Sequence, residues 1–305
     1  MVKRTVEVSS GPTYLSTKRG QLIVRRDGEL VGEIPFEDLG TIVVDNPATT
    51  YSHAALCGCL DAGASLLLCG SNHLPKGMLL PFGEHTEVRT RVELQLAASQ
   101  PQKKRLWKQL VQAKIVAQAS NLGDTHVAQK LRRYADEVRS GDTTNREAVA
   151  ARVYWATWLT SDDDESEQLE GDRFRRSVDG GSPNPLLNYG YAVLRACVAR
   201  SIVAAGFLPV LGIQHSNRSN AFALADDLME PLRPIVDSIV RRLVRDGETE
   251  INRATKESLL GVLTASVKTT GVEGPLPVGV ERMVASFAHC LERTQKQLEI
   301  PVQCN

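Results

Sequence analysis

The chain has 305 residues, with 36 Lys and Arg against 36 Asp and Glu, so its formal net charge is zero. Apolar residues make up 42% and charged residues 24%, which excludes a disordered or fibrous chain and fits one large domain or two smaller ones. The longest apolar candidate for a membrane span, 191–210, is broken by Arg195 and Arg200, and the opening MVKRTVEV lacks the apolar run of a signal peptide.

The first 85 residues read as β-rich. Residues 5–8 alternate polar and apolar. Strands are expected at 13–17, 21–25 and 29–34, separated by the turn signals Arg19-Gly20 and Asp27-Gly28. The apolar run 41–45 is a further strand. Ser52 can cap a short helix that ends before Gly63, and 64–69 gives another strand. Strand, helix, strand makes a compact βαβ-like unit. Residues 77–81 can add a last strand.

From Glu87 the pattern turns helical and stays so. Helices are expected over 87–99, 102–119, 123–138, 145–158, 184–205, 219–245, 253–265 and 278–297. The fold class is therefore α+β, a small β-rich N-terminal domain (1–83) followed by a larger all-α C-terminal domain (88–305). Pro231 and Pro234 predict a kink or restart of the 219–245 helix near Glu230.

Six cysteines are too sparse for a disulfide scaffold, and Cys57-Gly58-Cys59 lacks the second pair of a zinc site. Free thiols in a reducing cytoplasm are expected. The zero net charge hides a segregation. Residues 161–170, SDDDESEQLE, carry six acids, and the remainder is basic. That segment reads as a mobile loop, since like charges repel and no apolar face is present. Basic clusters lie at Lys103-Lys104-Arg105 with Lys108, at Arg132-Arg133, at 173–176 and at Arg241-Arg242 with Arg245. Either they share one phosphate-binding face or they are solvated helix surfaces.

Three segments carry candidate chemistry. In the first, GIQHSNRSN (212–220), His215 leaves an apolar run and enters a polar loop. Asp227 and Glu230, three apart, share a face of the next helix, while Asp226 points about 100° away. Carboxylates with one imidazole suit a hard divalent cation such as Mg²⁺ or Mn²⁺; a solvated acidic face is the plainer alternative. The second segment, NREAVAARVYW (145–155), places Glu147 in a first helical turn, where an acid is also favourable for the helix itself. In the third, DGGSPNPLLNYGY (179–191), a Gly/Pro-rich loop leads into a helix start that can face a phosphate or simply form a turn.

NREAVAARVYW, NPLLNYGYAVLR and GIQHSNRSNAFALADDLMEPLRP, in this order, resemble the CRISPR-associated adaptation integrase, the larger of the two universal spacer-acquisition proteins. The β-then-α layout extends the likeness over nearly the whole chain. The variant resembles those of type II systems, which use one large RNA-guided effector nuclease.

The resemblance implies a metal-dependent DNA integrase and endonuclease that inserts short prespacer duplexes into the CRISPR array, with Mg²⁺ or Mn²⁺ as cofactor. It implies Glu147, His215 and Glu230 as catalytic ligands, with Asp227 a less secure fourth. Arg146, Arg152 and Arg218 flank them and are candidate DNA contacts. Whether His215 ligates metal or shuttles a proton is open at this level. The implied partners are prespacer and array DNA, a second copy through the N-terminal domain, and the small partner adaptation protein; the type II effector nuclease is a further candidate. The family pattern has no match for the acidic segment 161–170. A stand-alone structure-specific nuclease and a non-catalytic DNA-binding scaffold are the competing readings.

Overall fold

The computed structural model describes residues 3–82, 85–159 and 174–304. The acidic segment 161–170 and Arg173 lie outside the described residues.

Among the described residues the N-terminal part holds eight strands: β1 (Arg4–Val8), β2 (Thr13–Lys18), β3 (Gln21–Arg26), β4 (Glu29–Pro35), β5 (Leu39–Val44), β6 (Thr50–Tyr51), β7 (Ser65–Cys69) and β8 (Pro75–Leu79), with α1 (His53–Asp61) between β6 and β7. One sheet has the order β4-β3-β2-β6. Its hairpins turn at Arg19-Gly20 and Asp27-Gly28, where all four residues have positive φ. That backbone matches the right-handed twist of the flanking strands. The second sheet has the order β1-β5-β7-β8. Here β5 pairs parallel with both β1 and β7, and the βαβ crossover carries α1. Ser52 Oγ accepts from Ala55 N at 3.2 Å and so caps α1 as expected.

Leu15, Leu22, Leu39, Ile42 and Leu66 pack with Ala55 and Cys59 of α1 into one core. Successive side chains of a strand face opposite ways. Val43 and Leu67 therefore point to the other side, where they join the core of the helical part.

That part comprises α2 (Val88–Ala97), α3 (Gln100–Asn121), α4 (His126–Asp136), α5 (Arg146–Thr157), α6 (Asn184–Ala204), α7 (Ala223–Met229), α8 (Arg233–Arg245), α9 (Arg253–Leu260) and α10 (Leu276–Leu291). It is not all α. The strands β9 (Ser266–Thr269), β10 (Val272–Pro275) and β11 (Val302–Gln303) form a small antiparallel sheet, β10-β9-β11. Strands of two to four residues are too short to raise an alternating signal.

Helix α6 is buried along most of its length. Its two arginines reach different partners: Arg195 Nε donates to Asp226 Oδ1 at 2.7 Å, and Arg200 Nε donates to the Gly63 carbonyl at 2.9 Å. The second bond ties the helical core to the βαβ unit. A buried ion pair between Lys256 of α9 and Asp45, at the end of β5, ties it again. Among the described residues no helix is long and apolar enough to cross a membrane. The six cysteines are free; Cys59, Cys197 and Cys290 are buried.

The expected 219–245 helix breaks where the prolines demand. A 3₁₀ turn, Glu230–Leu232, separates α7 from α8. Pro231 and Pro234 each sit in the first turn of a new segment, where a missing N–H loses no helical bond. The turn packs against α3, which fixes where Glu230 points.

Candidate active site

Glu147 is set by a tight corner. Asn145 is left-handed at φ 54°, and the Asp142 carboxylate receives Arg146 N at 2.8 Å and Glu147 N at 3.0 Å. These bonds satisfy orphan N–H groups of α5 and orient its first turn toward α3. There Glu147 Oε1 meets Lys114 Nζ at 2.6 Å.

Glu230 approaches the same ammonium from the other side. Its Oε2 lies 2.5 Å from Lys114 Nζ, and its Oε1 accepts from Arg233 Nε at 2.8 Å. The Lys114 side chain is only 13% exposed. Burial works against its charge, yet the two carboxylates hold its pKa above the ordinary lysine value. Burial likewise opposes ionisation of Glu230, but Arg233 and Lys114 win and hold its carboxyl at about 2. The two glutamates predicted from separate motifs thus converge on one cation.

His215 is organised by a different device. Asp227, fully buried, accepts four hydrogen bonds from the loop before it. Oδ2 takes Ile213 N at 2.6 Å and Gln214 N at 2.9 Å, and Oδ1 takes His215 N at 3.2 Å and His215 Nδ1 at 2.6 Å. A carboxylate only accepts, so Nδ1 carries the proton and Nε2 is left open. The bond to Asp227 is the main reason the His215 pKa lies above the ordinary value. The edge of the ring packs against Trp107, with centroids 5.8 Å apart. Glu230 is near enough to add to the upward shift.

Asp226 pins the far end of the same loop through Asn220 Nδ2 at 2.8 Å, and is itself held by Arg195. The consecutive acids of α7 therefore clamp both ends of the loop. Gly212 lets it close, because a Cβ there would run into the His215 carbonyl oxygen and stand 2.9 Å from Asp227 Oδ2.

The structure brings some predicted residues together and not others. Asp227 and Glu230 share a short stretch, but their carboxylates have different partners. Arg146 turns from the glutamates: it pairs with Glu137 and stacks over Tyr134. Arg152 and Arg218 are exposed. Lys114, Arg233 and Trp107 were not singled out in the sequence, and Arg195 was noted there only as a break in an apolar run. Lys114 left one trace: it lies within the stripe of Leu110, Val111, Ile115 and Gln118 that α3 buries.

Two carboxylates that already share a cation supply oxygen donors suited to Mg²⁺ or Mn²⁺, and the imidazole of His215 lies within electrostatic reach of one of them, Glu230. Among the described residues no three His, Cys, Asp or Glu side chains stand close enough to hold an ion together. Lys114 fills the space between two of them.

The chain matches the family described as CRISPR associated protein Cas1 over residues 6–273. It is 36% identical over 307 aligned residues to the CRISPR-associated endonuclease Cas1 of Neisseria meningitidis serogroup C, covering 99% of this chain and 96% of that one. The chain belongs to the Cas1 family. A Cas1 of Pyrobaculum aerophilum is 28% identical, over 94% of this chain and 98% of its own. Among solved structures, a casposase bound to integration product superposes with a TM-score of 0.75 at 19% identity, covering 97% of this chain and 92% of that one. A Cas1 protein from Thermotoga maritima superposes at 0.71 with 18% identity, over 95% and 97%. At these identities the structural likeness is one of fold.

In this Cas1 family member a cavity of about 250 Å³ opens beside Glu230 and Lys114. It is bounded by Lys114, Gln118, Trp155, Arg176, Arg233 and Asp237, among others. Asp237 is buried under two phenols: Tyr154 donates to it at 3.1 Å, and Tyr191 donates to its other oxygen. Burial pushes its pKa up to about 7 against the opposing help of those hydroxyls.

Proposed function

We propose that this chain is a metal-dependent DNA integrase and endonuclease of CRISPR spacer acquisition, working in the cytoplasm. One observation carries the reading: Glu147 of α5 and Glu230 of the 3₁₀ turn before α8 close on one cation position, and Glu230 lies within electrostatic reach of His215. Support also comes from relatives named CRISPR-associated endonuclease and from fold neighbours described as a casposase bound to integration product and a Cas6-RT-Cas1–Cas2 complex.

The reaction is a transesterification. The 3′ oxygen of a prespacer forms a bond to an array phosphorus, the existing P–O bond breaks, and the array strand leaves with a free 3′-hydroxyl. Water as nucleophile gives cleavage instead. Bound Mg²⁺ or Mn²⁺ would neutralise charge on the reacting phosphate and favour the deprotonated nucleophile. Glu147, Glu230 and His215 would hold it. Asp227 keeps the proton on Nδ1 of His215, so Nε2 is the atom that ligates the ion or exchanges a proton. Arg152 and Arg218, both exposed, would meet DNA phosphates. Arg146 is tied to Glu137 and would need release to join them.

The β-rich part, 1–83, would serve as the dimerisation domain and 88–305 as the catalytic one. Leu30 and Val31, on the edge strand β4, are 52% and 51% exposed, which supports a protein contact there. The small partner adaptation protein would complete the complex on prespacer and array DNA.

The test uses the purified chain with its partner, a duplex bearing 3′-hydroxyl ends, supercoiled plasmid and Mn²⁺. Covalent plasmid–oligonucleotide joints are expected, lost on chelation and in Glu147→Ala, His215→Ala and Glu230→Ala. Cleaved strands without joints would favour a plain nuclease. Normal joining by all three variants would overturn the site.

A further inference from the structure

We propose that Lys114 is a displaceable internal counter-ion, holding Glu147 and Glu230 together until a divalent cation takes its place and expels its ammonium toward Gln118. This rests on the reading of the two glutamates as metal ligands.

Space comes first. Lys114 Nζ lies 2.6 Å from Glu147 Oε1 and 2.5 Å from Glu230 Oε2. A small divalent ion sits at about 2.0–2.6 Å from carboxylate oxygens. Both cations would need the same volume between the same two oxygens.

Charge leads to the same conclusion. Two glutamates, Lys114 and Arg233 together sum to zero. A dication added to that set would leave two uncompensated positive charges in a largely buried site, which is strongly unfavourable. Exchange for the ammonium halves the excess at the glutamates. Arg233 cannot be the group that yields, because it bonds the other oxygen of Glu230 and also stacks over Tyr191 at 4.7 Å.

A destination exists. Gln118 is one helical turn from Lys114 on α3, so the two share a face. Its Oε1 is buried and accepts no hydrogen bond among the described residues, although Gln118 is only 2% exposed. An acceptor left in this state asks for a donor. Lys114 and Gln118 both line the 250 Å³ cavity, with Asp237 on its wall as a second oxygen partner. The lysine stem has enough rotatable bonds to swing from one place to the other without moving α3.

The exchange is read by metal affinity rather than by activity. Mn²⁺ is titrated into the full-length chain by calorimetry, and free Mn²⁺ is followed by electron paramagnetic resonance. Wild type, Lys114→Met and Glu230→Ala are compared. Lys114→Met is expected to bind Mn²⁺ at least about ten-fold tighter, because no ammonium has to leave. A merely structural lysine would leave affinity unchanged or weaken it, and either result overturns the proposal. Binding that Glu230→Ala abolishes while Lys114→Met leaves at the wild-type value removes this proposal alone. Absence of Mn²⁺ binding to wild type, or binding that Glu230→Ala does not alter, removes the metal reading and this proposal with it. If Lys114→Met fails to fold, wild type decides. Acetylation of Lys114, read by mass spectrometry, should rise several-fold on addition of Mn²⁺, and an unchanged or reduced yield overturns the proposal.

Discussion

The Asp227 carboxylate holds His215 at two points, accepting from its backbone N at 3.2 Å and from its ring Nδ1 at 2.6 Å. One acid thereby fixes both the position of the loop and the tautomer of the imidazole. Asp227→Asn replaces an acceptor by a donor facing these N–H groups. Loss of charge-assisted bonds of this kind costs about 2–3 kcal/mol. The His215 pKa should fall, since the bond to Asp227 is the chief cause of its elevation. In wild type the pair contributes its full stability below about pH 6.5, the unfolded value for histidine, and loses it as pH rises through the higher folded value. Proton NMR titration of His215 in the two proteins checks the shift. Equal values would remove Asp227 from this role.

The glutamates should differ in what they do for stability. Glu230 is buried against Lys114 and Arg233, while the Glu147 side chain is 26% exposed. Removing one partner of a buried ionic cluster costs about 3–5 kcal/mol, because the remaining charges lose their compensation. Urea unfolding should therefore rank Glu230→Ala well below Glu147→Ala, although both should lose joining activity.

Acid should reveal the same carboxylate. The folded pKa of Glu230, about 2, is depressed from 4.5. Its contribution is present above pH 4.5 and is lost as pH falls from there toward 2. Glu230→Gln should flatten that limb of the stability curve. A limb as steep as that of wild type would contradict the assignment.

Gly212→Ala should separate folding from function. The new Cβ would meet the His215 carbonyl oxygen, a backbone atom that cannot rotate away. Residues 214–219 of this loop are exposed, so the helical core should survive and circular dichroism should change little. Joining should drop at least about ten-fold, the scale on which small displacements of catalytic groups act.

Asp237 predicts the opposite pH trend. Its folded pKa, about 7, is raised from 3.8. Its favourable contribution is complete below pH 3.8 and disappears as pH rises through about 7. Asp237→Asn should therefore gain melting temperature relative to wild type between pH 5 and pH 8. A constant difference across that range would argue that Asp237 is ionised throughout.

Local signals determined a good part of this protein. Arg19-Gly20 and Asp27-Gly28 form the two tight hairpins, Ser52 caps α1, and Pro231 and Pro234 break the helix at Glu230. Each is a matter of backbone dihedrals or missing N–H groups within a few residues, which a sequence displays directly. Glu147, His215 and Glu230 could be picked out as candidates from their motifs. What the sequence could not state was how their charges are partnered. Asp227 and Glu230 sit three apart, yet one holds the His215 loop and the other faces Lys114 and Arg233. The parallel pairing of β1 with β5 and the short sheet of β9, β10 and β11 were equally hidden. Lys114, in a buried stripe of α3, gave no hint that it would stand between two glutamates from distant segments. Such pairings depend on which surfaces the packed helices bring together, and a buried charge can only be placed once the groups that compensate it have been brought alongside.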